Sequence, residues 1–492
     1  MISIPPLTTP STPASRLLMA IGALTCVEFF ETGLVMFSAS QIMTGLDLSP
    51  EAFAFAFTLY GVGSIFMLFK HQWMVERLGY RDFALASLAV FVLGAILCAT
   101  ATGLAQFALG RTLQGLGGAT FFTAGRMQIN RLPGARRFRG QLIFIGSLLL
   151  ASAIAPVAST ALVGVGGWRA VFWCALPLTT GVAWIAHPCL SRELTPPAER
   201  SQEHWGWLLW MALGVFGLQY TIQELPSQVS ADGKQTVLLG ATSALVLIIF
   251  AWRQWRQERP LINYRGLFQR RYLLGLGLYF SGYFMAGVSG FVLPVFFQKG
   301  LGWSLASTAT MVTLGLCASV LSALAHAALA RRWPQPRPFM FCALLLYAAG
   351  NLILSQFGSR ADWSDALLPV LMCGVAIPLF LGPVAFGTFS ELPPKVFSHG
   401  YQVKNIVRQL GLSSSIAVAT VALQLPYAGQ AAASAAAPGA VWEQVWQSAP
   451  IISALASHLS NPPATASSSV FLALALLMIP LALILRLQRV FR

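Results

Sequence analysis

Residues 24–37 read LTCVEFFETGLVMF. The stretch is apolar enough to lie in a bilayer, yet it carries two carboxylic acids, Glu28 and Glu31. An acid at the centre of a membrane helix costs about 3 kcal/mol, and residues three apart on a helix share one face. Intramembrane acids face a bundle interior or a water-filled path, so this face predicts a helix bundle that handles charge.

Composition extends that reading to the whole chain. Of 492 residues, 56% are hydrophobic and 10% charged, with a mean hydropathy of +0.68. A soluble domain carries about 25% charged residues, so the fold class is an all-α, polytopic membrane protein. The 43 Gly and 28 Pro suit helices that pack closely and bend. Seven cysteines stand singly and no CxxC occurs, which predicts neither a disulfide framework nor a metal site. The opening MISIPPLTTPSTPAS lacks a basic start and a short apolar core. Residues 1–15 therefore read as a disordered cytoplasmic tail.

Apolar runs recur at roughly 16–38, 52–70, 82–103, 105–127, 140–164, 169–188, 206–225, 235–252, 272–297, 303–330, 337–357, 365–389, 403–425 and 469–487. These about fourteen spans put both termini on one side. With that side cytoplasmic, 26 of the 31 Lys and Arg fall on it. This asymmetry is the positive-inside rule, and it turns the net charge of +15 into a topology signal rather than a nucleic-acid footprint. The basic segment WRQWRQERPLINYRGLFQRR (252–271) reads as an anchor on an anionic leaflet. Residues 426–468, Ala/Ser-rich and nearly uncharged, read as an extracytoplasmic hairpin with one amphipathic helix near 441–459. No HExxH, P-loop or GxSxG is present and the histidines are scattered, so neither an enzyme nor a cofactor is expected.

Several fragments occur in a telling order. KHQWMVERLGYRDF (70–83) follows the second span, LGRTLQGLGGATFFTAGR (109–126) fills the fourth and GSLLLASAIAPVAST (146–160) the fifth. RPLINYRGLFQRRYLLGL (259–276) and NIVRQLG (405–411) come later. In this arrangement the chain resembles the major facilitator superfamily, specifically its fourteen-helix drug/proton antiporter branch (EmrB/QacA-like). The resemblance runs from about residue 16 to the C-terminus. It implies an N-terminal six-helix bundle over 16–188, two inserted helices with their linkers over 189–271, and a C-terminal six-helix bundle over 272–492. It also implies a central cavity opening alternately to each side, and a secondary transporter exporting small lipophilic or amphipathic compounds, cationic ones included, in exchange for protons. The site is the inner membrane. A monomer is expected, with a periplasmic adaptor protein as a candidate partner. Export of a dedicated metabolite, such as a siderophore, and uncoupled facilitation are the alternatives.

The resemblance assigns residues. In the loop after span two, Glu76, Arg77, Gly79 and Arg81 match a gating motif whose acid is usually Asp, with Gln72 replacing a glycine. Arg111, Gln114, Gly115 and Gly118 match span four, where glycines allow close helix approach. The span-five antiporter motif survives as Ala155 and Pro156, a small residue and a bend, with its glycines replaced. Arg408 and Gln409 read as anchoring and packing at the inner end of span thirteen. Glu31 takes the place of the family's first-helix Asp, and Glu28 is an added acid.

By the helical rise, Glu31 lies about 22 Å above Arg16 and Arg111 about 9–10 Å below the opposite surface, at one level. The two are expected to pair, or to exchange partners, and Glu28, Glu31 and Arg111 to form the proton-coupling site. Two acids on one face take up and release protons as a unit. Tyr60, Gln114, Phe280, Tyr283 and Phe284 are the expected cavity residues, since aromatic faces suit lipophilic cations.

Overall fold

The computed structural model describes residues 14–130, 132, 134–201, 205–224, 234–257, 260–330, 332–358, 361–393, 396–434, 466–488 and 491. Expectations for residues 1–13 and 435–465, the tail and most of the outer hairpin, lie outside the described residues. The hairpin's expected flanks are helical: one helix runs on past residue 426 to Ser434, and the next begins at Ala466.

Among the described residues fifteen α-helices follow in order: α1 Ala14–Phe37, α2 Ala39–Leu46, α3 Pro50–Ala99, α4 Leu104–Asn130, α5 Gly134–Trp173, α6 Ala175–Ala186, α7 Trp205–Glu224, α8 Lys234–Arg256, the short α9 Tyr264–Leu267, α10 Arg270–Val295, α11 Leu305–Leu329, α12 Pro336–Ser355, α13 Trp363–Gly387, α14 Phe397–Ser434 and α15 Ala466–Leu487. Among the described residues no strand occurs, and nine helices are long and apolar enough to cross a membrane. Many exposed side chains are large and apolar: Trp184, Leu238, Ile248, Leu321 and Leu487 all face outward. Lipid is as apolar as a core, so such a surface is stable only in a bilayer.

Local chemistry sets the breaks. A straight 50-residue α3 would be about 75 Å long, far beyond a hydrocarbon core of about 30 Å. It turns at Gly79, whose φ of 76° and ψ of 165° lie where side chains are disfavoured. α5 breaks likewise at Gly166 and Gly167, the latter with φ 66°. Ser49 starts α3 by accepting a hydrogen bond from Ala52 N with Pro50 at the first position, and Asp362 and Asp365 form a capping box on α13.

The two arms of α3 clasp α4, and α1 packs on α4, α5 and α6. In the second half α10 packs on α13 and α14, α13 on α11 and α12, and α15 on α12. The halves meet along two seams, α5 with α11 and the first arm of α3 with α14. α7 and α8 pair with each other, and α7 lies on α3 and α14, where Gln219 Nε2 donates to Ser413 Oγ at 2.5 Å.

Candidate functional site

A cavity of about 420 Å³ opens between the halves, walled by α1, α5, α10, α11, α13 and α14. Toward the arginine-rich end its wall reaches Gln141, His326 and Tyr401; toward the other it stops at Met36, Phe37, Leu293 and Pro294. These last four are buried, and beyond them contacts join the halves. Gln41 Nε2 donates to Gln298 Oε1 at 2.7 Å, and Phe53 stacks on Phe291 with ring centroids 6.3 Å apart.

Glu28 stands in the cavity wall on α1, paired with Arg408 of α14. Arg408 Nη2 donates to Glu28 Oε1 at 2.5 Å, and both side chains are 2% exposed. The contact spans 380 residues of sequence and ties the two halves together beside the cavity. Arg408, expected as an inner-end anchor, is thus a functional candidate that the sequence reading missed. An Arg within an apolar run was the available signal; its partner lay on the far half of the chain.

Glu31 points elsewhere. Its Oε1 accepts from Gln114 Nε2 at 2.8 Å, and Gln114 Oε1 accepts from Arg111 Nη1 at 2.7 Å. The expected direct Glu31–Arg111 pair is therefore replaced by a bridge in which one amide bonds to both ions. Arg111 also lies under aromatic cover, its guanidinium carbon 4.4 Å from the Tyr60 ring centroid and 5.4 Å from that of Phe57. The glycines around the bridge allow it. A Cβ on Gly115 would overlap the Tyr60 carbonyl oxygen, and one on Gly117 would crowd Ser87 O, so α4 seats its backbone against both arms of α3. Gly118 faces Phe91 and the Tyr60 hydroxyl. Gly33 of α1 meets Ala155 of α5 just as closely, while Pro156 sits inside α5 and lines the cavity.

Of the five expected cavity residues, Tyr283 lines it and Tyr60, Gln114, Phe280 and Phe284 do not. The register of α10 decides this. Tyr279, Tyr283 and Ala286 face inward, whereas Phe280 is 36% exposed and stacks on Phe284, ring centroids 6.1 Å apart. Tyr60 and Gln114 are consumed by the Arg111 bridge. His326 also lines the cavity, buried with its ring edge-on to Phe339.

The gating residues form a separate assembly at the arginine-rich end. Glu76 Oε2 accepts from both the backbone N and the hydroxyl of Ser201, each at 2.7 Å, and Oε1 accepts from Gln72 Nε2 at 3.0 Å. Gln72, standing where a glycine was expected, is thus a partner of the acid. Arg77 Nη2 donates to Ser201 O at 3.0 Å, and Arg81 Nε to Leu190 O at 2.9 Å. A Cβ on Gly79 would come within 3.0 Å of the Arg192 backbone. Glu76, Arg77, Gly79 and Arg81 therefore clamp the strap of residues 190–201, which leads from α6 to α7.

Among the described residues no group of His, Cys, Asp and Glu is arranged to hold a metal ion. The sequence model of the Major Facilitator Superfamily matches residues 21–416. The chain is 25% identical over 404 residues to "Putative multidrug resistance protein MdtD" of Klebsiella pneumoniae (strain 342), covering 81% of this chain and 84% of that one. It is 26% identical over 369 residues to "Multidrug resistance protein B homolog" of Mycobacterium tuberculosis (strain CDC 1551 / Oshkosh), covering 71% and 65%. Its fold is similar to that of an auto-inhibited POT family peptide transporter, with a TM-score of 0.65 at 14% identity over 96% and 97% of the two chains.

Proposed function

This chain belongs to the Major Facilitator Superfamily, and on that premise we propose that it exports small lipophilic or amphipathic compounds by alternating access, coupled to proton entry. The family makes it a multi-pass membrane transporter with small-molecule substrates. The names of the two relatives support export, and the apolar cavity between the halves suits the substrates. The positive-inside rule supports a cytoplasmic membrane location with the arginine-rich end inside. On that orientation the cavity faces the cytoplasm and the Gln41–Gln298 end is the closed outer gate.

The observation that carries the coupling is the Glu28–Arg408 pair. In a site this buried the charges hold each other, and the pair joins the halves only while Glu28 is ionised. A proton arriving from outside neutralises Glu28, releases Arg408 and lets the halves rock; its loss to the cytoplasm remakes the tie. Each charge carried down 100 mV supplies about 2.3 kcal/mol. The Glu31–Gln114–Arg111 bridge, one turn away, passes that change into the first half. We read the chain as acting alone as a monomer, with a periplasmic adaptor as its candidate partner. The replaced glycines of span five favour a second reading, a dedicated exporter of one metabolite, in which packing is tuned to one cargo.

Everted membrane vesicles test the proposal with a panel of lipophilic compounds, with and without a proton uncoupler. Accumulation that collapses with the uncoupler is expected. Accumulation unaffected by it means an uncoupled facilitator, and accumulation of a single compound favours the dedicated exporter.

A further inference from the structure

The acid, lysine and arginine of the cavity wall are all engaged within the protein. Glu28 and Arg408 hold each other, and the second oxygen of Glu28 is buried. Lys404 is held by the Tyr279 and Tyr401 rings and by a further contact. Wall hydroxyls are taken in the same way: Ser289 bonds to Tyr347 at 2.7 Å, and Ser319 donates to Gly374 O at 2.7 Å. Gln141 and His326 differ. Both line the cavity toward the arginine-rich end, and among the described residues neither side chain makes a hydrogen bond or an ion pair. Gln141 stands on α5 of the first half and His326 on α11 of the second, helices that pack along one seam. His326 is 6% exposed, its ring held edge-on to Phe339 of α12 with centroids 5.0 Å apart. Its Nδ1 lies so close over Gly382 of α13 that a Cβ there would come within 2.7 Å. A buried polar ring is costly when left unbonded, so its partner is to be sought in the cavity.

We infer that Gln141 and His326 form a clamp for an uncharged hydrogen-bonding group of the cargo, a carboxamide or a hydroxyl, whose apolar body lies against Leu148, Leu316 and Ile377. The inference rests on reading this cavity as the translocation site, and it narrows the amphipathic cargo of that reading. A glutamine amide and a neutral imidazole each offer a donor and an acceptor, so together they satisfy a group that both donates and accepts. A charged group has to displace an existing partner of Glu28, Lys404 or Arg408 before it finds a counter-ion. Burying it unpaired costs far more than burying an amide. Because the two residues belong to opposite halves, bound cargo also links the halves at the end that has to close.

The test uses the full-length protein in nanodiscs and four probes on one naphthalene body: 2-naphthamide, 2-ethylnaphthalene, 2-naphthoate and a naphthylmethyl-trimethylammonium salt. Binding is measured by equilibrium dialysis, with uptake into protein-free nanodiscs subtracted. The amide is expected to bind about tenfold tighter than the ethyl compound, and tighter than either ion. Gln141→Leu and His326→Leu should each lower that advantage about threefold, and the double variant should erase it. Affinity for the ethyl compound should stay within about twofold throughout, which a merely structural role would not allow. His326→Asn, which keeps a donor and an acceptor, should retain more of the advantage than His326→Leu. Unfolding curves establish which variants are folded, and Gln141→Leu alone decides the matter if His326→Leu is not. Equal affinity for amide and ethyl compound, tighter binding of either ion, or an amide preference untouched by the substitutions overturns the inference. Proteoliposomes then separate the two claims. Naphthamide flux that falls in the double variant supports both. Binding that depends on the two residues with no flux keeps the clamp and overturns the transport reading. Flux of an ion alone, unchanged in the double variant, keeps transport and overturns the clamp.

Discussion

Arg408→Gln takes the guanidinium away from a carboxyl that is 2% exposed, and Glu28→Gln does the converse. Breaking one side of a buried ion pair costs about 3–5 kcal/mol, because the surviving charge stays in a medium that cannot solvate it. Replacing both partners costs far less, since no charge is left behind. The double variant Glu28→Gln/Arg408→Gln should therefore recover most of either loss, giving a coupling of about 2–4 kcal/mol. The assay is unfolding of the four purified proteins in one detergent, run beside two transport measurements in proteoliposomes. Counterflow needs only reorientation and should survive in Glu28→Gln and in the double variant. Accumulation driven by a pH gradient needs a proton carrier at position 28 and should be lost in both. Glu31→Gln is the comparison. Its amide oxygen accepts the same hydrogen bond from Gln114 Nε2, so stability should change by less than about 1 kcal/mol, while gradient-driven accumulation falls. A coupling below about 0.5 kcal/mol, the worth of an exposed pair, would refute the reasoning, as would wild-type gradient-driven accumulation in the double variant.

Three further outcomes follow from the geometry. Gly115→Val drives a side chain into the Tyr60 carbonyl, so thermal unfolding should report a loss of about 1–3 kcal/mol, whereas Gly181→Ala, which meets nothing within 4 Å, should be nearly neutral. Glu76→Ala removes the acceptor of the two hydrogen bonds from Ser201 that hold the strap, so limited proteolysis within 190–201 should speed up while membrane insertion is unchanged; an unaltered cleavage rate would count against the clamp. Cysteines at Gln41 and Gln298, joined by a short bis-maleimide, should lock the end away from the arginines and stop transport, with recovery after cleavage of a reducible linker; continued transport in fully cross-linked protein would mean that this end is not a gate.

Much of this protein was legible from composition and order alone. Hydropathy sets where helices cross because the bilayer admits backbone only when its hydrogen bonds are satisfied within the segment, and that constraint is local. Helix ends written in Ser49–Pro50 and Asp362–Asp365, and the turn at Gly79, are local for the same reason. The motif around Arg111 and Gly115 announced a close-packed α4, since small residues reveal close approach without naming the neighbour. Partner choice was not local. Glu28 finds Arg408 across 380 residues, and Gln114 comes between Glu31 and Arg111 because α4 is seated by its glycines against two arms of α3. A one-residue rotation of α10 separates Tyr283, in the cavity, from Phe280 and Phe284, outside it. The sequence by itself determined a membrane-spanning helical carrier and the level of its acids, because solvent and rise per residue act on each helix singly. Only the tertiary structure decided which charges meet, because the energy of a buried ion depends on what lies within a few ångströms of it.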